Sequence, residues 1–227
     1  MIPHPANPLA VALDVSDLDA AEALAQQLEG HVGLLKVGLE LFTANGPASV
    51  LRLRAFGSVF LDLKLHDIPN TVERAAANAG RLGVAMLTVH ALGGEAMVSA
   101  AVRGAARGAD EAGQAPPLVV AVTVLSSLAG EGLASPASLA FEAGAAGAAG
   151  VVVSGEDVAV VREVLGEEAC LVVPGIRPAG SNGHDQVRIL TPPEALERGA
   201  DYVVVGRPIT GSADPLGATR TILSTIR

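Results

Sequence analysis

The chain is poor in the residues that usually brace or anchor a small protein. Its 227 residues include one cysteine, no tryptophan, one tyrosine and four phenylalanines. A lone thiol, Cys170, cannot build a disulfide scaffold. No uninterrupted apolar run approaches the ~18–20 residues of a membrane-spanning helix. The opening segment MIPHPANPLAVALD lacks a charged stretch leading into a cleavable apolar one, so no secretion signal is expected. Positive charge is also scarce. Fifteen Lys and Arg face 24 Asp and Glu, a net charge of -9. Non-specific binding to nucleic acid or to an anionic membrane is therefore not expected. Lysine is the scarcest basic residue: Lys36 and Lys64 are the only two. A partly buried lysine can lose and regain a proton, which an arginine cannot, so both become candidates for chemistry.

Hydrophobic residues, by contrast, make up 50% of the chain, with 26 glycines among the remainder. Such a chain can bury a core, which argues against disorder, and its length suits one domain. The expectation is a soluble, cytoplasmic protein with a single domain over residues 1–227.

Short β-branched runs alternate with Ala-rich amphipathic runs along the whole sequence. Apolar runs near 9–15, 33–39, 58–65, 85–91, 117–124, 150–154, 169–175 and 201–206 read as strands. Most are continuous rather than alternating, as in PLVVAVTVL and DYVVVG, which is the pattern of parallel strands covered on both faces. The intervening helices have legible ends. Ser16-Asp17 opens the first and Gly30 stops it. Ser135-Pro136, Thr191-Pro192 with Glu194, and Asp214-Pro215 place a capping side chain before a first-turn proline. Asn70 with Glu73 resembles a capping pair. GAAGAAG at 144–150 reads as a helix end running into a strand. Eight strands and eight helices in strict order predict a (β/α)8 TIM barrel of the α/β class. A doubly wound open sheet competes, but no GxGxxG follows the first strand. The segment 178–190, PAGSNGHDQVRIL, is the long loop of the chain and a candidate mobile lid.

A barrel carries its chemistry at the C-terminal ends of its strands. There the sequence offers Asp14, Lys36, Asp62, Lys64, His90, Ser126, Arg177 and Arg207. In DLKLHD (62–67), Asp62 and Lys64 stand two apart on a strand and leave the same face, with Cα atoms roughly 6–7 Å apart. Asp67 follows the strand end, and Lys36 ends the neighbouring strand. Together these would form an alternating array of two carboxylates and two ammoniums, costly to bury unless it is used. PGIRP (174–178) and VVVGRPIT (203–210) put Gly and Arg at the ends of the last two strands, where many barrels hold phosphate. The remaining polar residues carry less. His90 reads as a residue supporting the site from behind or as a satisfied core histidine, His66 as structural or interfacial, and His4 and His31 as solvated. Cys170 reads as a small buried hydrophobe. No His/Cys cluster has metal-ligand spacing, and Ser126-Ser127 lacks a nucleophile elbow.

These motifs resemble the orotidine 5′-phosphate decarboxylase family over nearly the whole chain. The likeness runs through ALD (12–14), LKVG (35–38), DLKLHDIPNT (62–71), VHA (89–91), VTVLSS (122–127), PGIRP, DQVR (185–188) and VVVGRPIT. The resemblance implies a barrel that decarboxylates orotidine 5′-phosphate (OMP) to UMP in pyrimidine synthesis, without cofactor or metal. It implies that Lys64 protonates pyrimidine C6, that Asp62 lies beside the departing carboxylate, and that Lys36, Asp62, Lys64 and Asp67 form the charged network. It further implies a homodimer in which Asp67 and Thr71 reach the partner's site. Asp14, Lys36 and Thr71 would hold the ribose, and Ser126 would touch the ring. Arg177, Gln186, Gly206 and Arg207 would hold the phosphate and the loop. His184 stands where the family commonly has a small or amide residue. Three rival readings remain: a Mg²⁺-dependent sugar-phosphate decarboxylase or lyase on the same barrel, which shares the DxKxxD motif, a non-catalytic nucleotide-binding barrel that keeps the phosphate grip, and a Schiff-base role for Lys64. The metal-dependent relatives place an acid where this chain has Lys36.

Overall fold

The apolar runs fold as parallel strands. In order they are β1 (Leu9–Ala12), β2 (Leu34–Val37), β3 (Val59–Leu65), β4 (Met86–His90), β5 (Leu118–Val122), β6 (Gly150–Val152), β7 (Cys170–Val173) and β8 (Tyr202–Val205). They belong to a computed structural model that describes residues 5–124, 134–177 and 190–226. Each strand pairs with the next, and β8 pairs with β1, so the sheet closes into a barrel. Closure leaves no exposed sheet edge and excludes the open doubly wound sheet.

Around the barrel lie α1 (Leu18–Leu28), α2 (Leu39–Asn45), α3 (Pro47–Leu53), α4 (Pro69–Arg81) and α5 (Gly94–Glu111). They are followed by α6 (Pro136–Ala145), α7 (Val158–Leu165), α8 (Pro192–Glu197), α9 (Arg207–Thr210) and α10 (Pro215–Thr225). One helix per strand is thus exceeded twice. After β2 the helix is broken at Gly46, whose φ of +58° is followed by Pro47. After β8, the short α9 precedes α10.

Most helix starts follow the expected chemistry. Asp17 accepts the amides of Asp19 and Ala20, Ser135 that of Ser138, and Asp214 that of Gly217. Glu194 reaches back to accept the Thr191 amide at 2.8 Å. The capping role expected of Asn70 is not found. Pro69 already occupies the first helical position after Ile68, and its fixed φ starts the helix without a side-chain cap. Asn70 instead accepts from Arg74 Nε at 3.1 Å, and Glu73 pairs with Arg103 and Arg107 on α5. α4 and α5 pack closely because Gly104 and Gly108 carry no β-carbon; one added at either would overlap the Glu73 or Ala77 carbonyl.

Strand parity divides the core in two. One face of each strand packs on the helices. The other fills the barrel, with Ala12, Leu34, Phe60, Met86, Val122 and Val172 in one apolar cluster. Cys170 joins this cluster, and burial pushes its thiol up to about 12. It remains a neutral small hydrophobe, as expected. At the end of the barrel where β7 and β8 begin, Arg162 donates to Asp201 at 2.7 Å and to the carbonyls of Gly166, Ala169 and Gly199. Asp201 in turn accepts the Leu171 amide at 2.7 Å.

Candidate active site

The site is the last inward layer of the barrel. Two residues beyond inward Leu34 comes Lys36; two beyond Phe60 comes Asp62; two beyond Met86 comes Thr88. Period-two alternation therefore sends all three side chains into the barrel, above its apolar filling. Lys36 is 8% exposed. Its ammonium donates to Asp14 Oδ1 at 3.0 Å and lies 3.6 Å from Asp62 Oδ2. Gly38 makes room for this pair, since a β-carbon there would stand 2.9 Å from both Asp14 Oδ1 and Lys36 Nζ.

β3 does not continue as a regular strand. Leu61 faces Leu87 and Leu65 faces Val89, so residues 62–64 span the width of Thr88 alone. Lys64 takes a φ of +50°, the only non-glycine left-handed residue among those described. The uniform strand geometry expected for Asp62 and Lys64 is thus replaced by a bulge. The bulge still brings them together, with Lys64 Nζ 2.8 Å from each Asp62 oxygen. Thr88 Oγ1 accepts the Lys64 amide at 2.8 Å and donates to Asp62 Oδ1 at 3.0 Å.

Asp14, Lys36, Asp62 and Lys64 line a cavity of about 310 Å3. Gly206 and Arg207, at the start of α9, line it too, as does Arg177 beyond β7. Because the strands run β7, β8, β1, β2, β3 around the closed sheet, the two arginines and the lysine–aspartate array occupy neighbouring sectors of one mouth. Phe60, Val122, Val152 and Val172 give the cavity an apolar floor. Low local polarity strengthens every charge interaction above it.

Asp67 and Thr71 stand apart from this cavity. Both are exposed, and Asp67 Oδ1 accepts the Ile68 amide at 2.7 Å. Ser126, Gln186, His184, His4 and loop residues 178–189 lie outside the described residues. His31 is half-buried rather than fully solvated. His90 stacks on His66 with centroids 5.2 Å apart, and its Nδ1 accepts the Leu92 amide at 3.4 Å. Burial, then the charges of His66 and Lys64, hold the His90 imidazole below its ordinary value. Among the described residues, no three His, Cys, Asp or Glu side chains gather as metal ligands.

Sequence reasoning missed Thr88, Gly38 and Ser154. Thr88 shares inward parity with His90, a signal present in MLTVH but hidden by threonine's ordinary preference for strands. Ser154 continues the parity of Val152, lines the cavity and donates to Asp157 at 2.6 Å.

A match to the Orotidine 5′-phosphate decarboxylase / HUMPS family spans residues 7–222. Orotidine 5′-phosphate decarboxylase of Anaeromyxobacter sp. (strain K) is 51% identical, over 96% of this chain and 97% of that protein. The protein of the same name from Moorella thermoacetica is 46% identical, over 98% of this chain and 93% of its own length. A crystal structure of orotidine 5′-phosphate decarboxylase from Lactobacillus acidophilus superposes with a TM-score of 0.84 at 36% identity. It covers 97% of this chain and 99% of that one.

Proposed function

The chain belongs to the orotidine 5′-phosphate decarboxylase / HUMPS family, and from that premise we propose that it converts OMP to UMP and carbon dioxide. The observation that carries the reading is the placement of two ammoniums around one carboxylate at the cavity mouth. Lys64 lies 2.8 Å and Lys36 3.6 Å from Asp62. The substrate brings a phosphate and a carboxylate into an acidic protein, and Arg177, Arg207, Lys36 and Lys64 supply the local positive field.

As the bond from C6 to the carboxyl carbon breaks, its electron pair stays on C6 and carbon dioxide leaves. No conjugated sink is available to that carbanion, so the fixed Lys64 ammonium stabilises it and then gives it a proton. Solvent later restores the proton to Lys64. Asp62 holds Lys64 in place and lies beside the departing carboxylate. Asp14 and Lys36 hold the ribose hydroxyls together with Thr71, and Ser126 touches the ring. Arg177, Gly206 and Arg207 grip the phosphate, and Gln186 joins them. Energy from that remote grip is available to assemble the charged array around the reacting carbon.

The proposed unit is a homodimer, in which Asp67 and Thr71 complete the site of the partner. Their exposure supports this, as does an apolar rim at the ends of three adjacent strands: Leu39 at 53%, Ile68 at 66% and Leu92 at 48% exposed. The reading treats the chain as one barrel domain working in the cytoplasm, where its charged nucleotide substrate is retained. No described helix is long and apolar enough to cross a membrane.

No step passes through a metal ion, because Lys36 faces both Asp14 and Asp62 where a metal-dependent relative would place an acid. The deciding experiment follows the ultraviolet change of OMP on incubation with the protein, with and without exhaustive chelation. Turnover that survives chelation is expected. Activity restored only by Mg²⁺ would favour the metal-dependent rival, and no turnover at all would favour a binding barrel. Borohydride should trap no adduct at Lys64.

A further inference from the structure

The bulge in β3 leaves backbone groups without the partners a regular ladder would give them. The Lys64 amide is one of these, and a side chain takes over. Thr88 Oγ1 lies 2.8 Å from that amide and 3.0 Å from Asp62 Oδ1. An amide N–H can only donate and a carboxylate only accept, so the hydroxyl must receive from Lys64 and give to Asp62. Thr88 is fully buried, so water does not compete for either bond. Its β-branch also restricts rotation about χ1.

We propose that Thr88 is a positioning residue for the decarboxylation, one hydroxyl holding the left-handed backbone of Lys64 and the carboxylate of Asp62 in a single register. Without it the lysine backbone is free to relax toward extended geometry, and the Asp62 carboxylate loses the donor that sets its rotation. Both changes displace the ammonium from the reacting carbon. Thr88 itself touches no substrate; it acts through its two neighbours. The inference rests on the decarboxylase reading of the site.

Thr88→Val removes the hydroxyl and keeps the shape. It should lower kcat by roughly ten- to a hundredfold, the usual scale for misplacing a reacting group. KM for OMP, and the affinity for UMP measured by calorimetry, should change by less than about threefold, since the phosphate grip is untouched. Thr88→Ser, which keeps the hydroxyl, should recover most of kcat. Hydrogen exchange of the Lys64 amide, followed by NMR, gives a readout independent of turnover. It should be slow in the wild type and in Thr88→Ser, and at least about tenfold faster in Thr88→Val. Should Thr88→Val fail to fold, Thr88→Ala against Thr88→Ser makes the same comparison. An unimpaired kcat without the hydroxyl, an equal loss with and without it, or unchanged Lys64 exchange would each overturn the proposal. A wild-type protein that does not turn over OMP ends the decarboxylase reading instead. An active wild type with an unimpaired hydroxyl-free variant ends only the role of Thr88.

Discussion

Asp62 presents both carboxylate oxygens to the Lys64 ammonium at 2.8 Å each. The pair is held between a strand and its bulge rather than on a flexible loop. Lys64→Ala deletes the proposed proton donor and leaves the arginines across the cavity mouth in place. Turnover should fall by at least about 10³-fold, near the upper part of the range for a general acid. UMP binding, measured by calorimetry, should persist. A variant retaining a tenth of the activity would remove Lys64 from the reaction.

Asp67 lies outside the cavity of its own chain, so its contribution is separable by mixing. In the proposed homodimer, Lys64→Ala and Asp67→Ala should each be nearly inactive on their own. Subunit exchange between them should rebuild one intact site in each mixed dimer, roughly a quarter of all sites at equal mixing. Activity that does not reappear on exchange would place Asp67 in its own subunit's site or in none.

Arg207 begins α9 beside Gly206 and lines the cavity. Its loss removes the proposed charged donor to phosphate, an interaction worth about 1.5–3 kcal/mol. Arg207→Ala should therefore raise KM by roughly ten- to a hundredfold and change kcat less. An unchanged KM would contradict the assignment.

Arg162 and Asp201 are buried at the opposite end of the barrel, with side chains 10% and 7% exposed. Arg162→Ala strands a buried carboxylate and leaves several carbonyls without their donor. The expected cost is about 3–5 kcal/mol, a fall in Tm on the order of 6–20 °C for a chain of this size. Thermal unfolding measures it directly. Because the pair is remote from the cavity, kcat of the protein still folded at low temperature should be unaltered.

His90 carries the pH signature of the rim. Burial first, then the charges of His66 and Lys64, lower its folded-state value below the ordinary 6.5. On acidification the unfolded chain therefore binds this proton first. From about pH 6.5 downward stability should decline, until the folded imidazole also protonates. His90→Asn should flatten that part of the profile in denaturant titrations at stepped pH. NMR of the imidazole should give a titration midpoint below that of a free histidine, and a midpoint above it would reverse the sign.

The strands were legible because parallel strands covered on both faces must be written as near-continuous apolar runs, as in LVVAV and YVVV. Helix starts at Asp17, Ser135 and Asp214 were legible because a capping oxygen is a local device. Lys36, Asp62, Lys64 and the two arginines stood out as charges at the ends of apolar strands. The bulge was not legible. DLKLHD alternates like any strand, and only pairing with β4 reveals that residues 62–64 oppose Thr88 alone. Thr88 was hidden for the same reason, since its partners are set by that tertiary register. Asn70 misled because the proline before it had already begun the helix.

The left-handed backbone at Lys64 has a consequence for anyone seeking a hardier protein. A side chain held in that conformation costs about 1–2 kcal/mol relative to glycine. Glycine at position 64 would release that cost but leave the largely buried Asp62 carboxylate with Lys36, 3.6 Å away, as its one ion-pair partner among the described residues, so backbone relief and the lost ion pair oppose each other there.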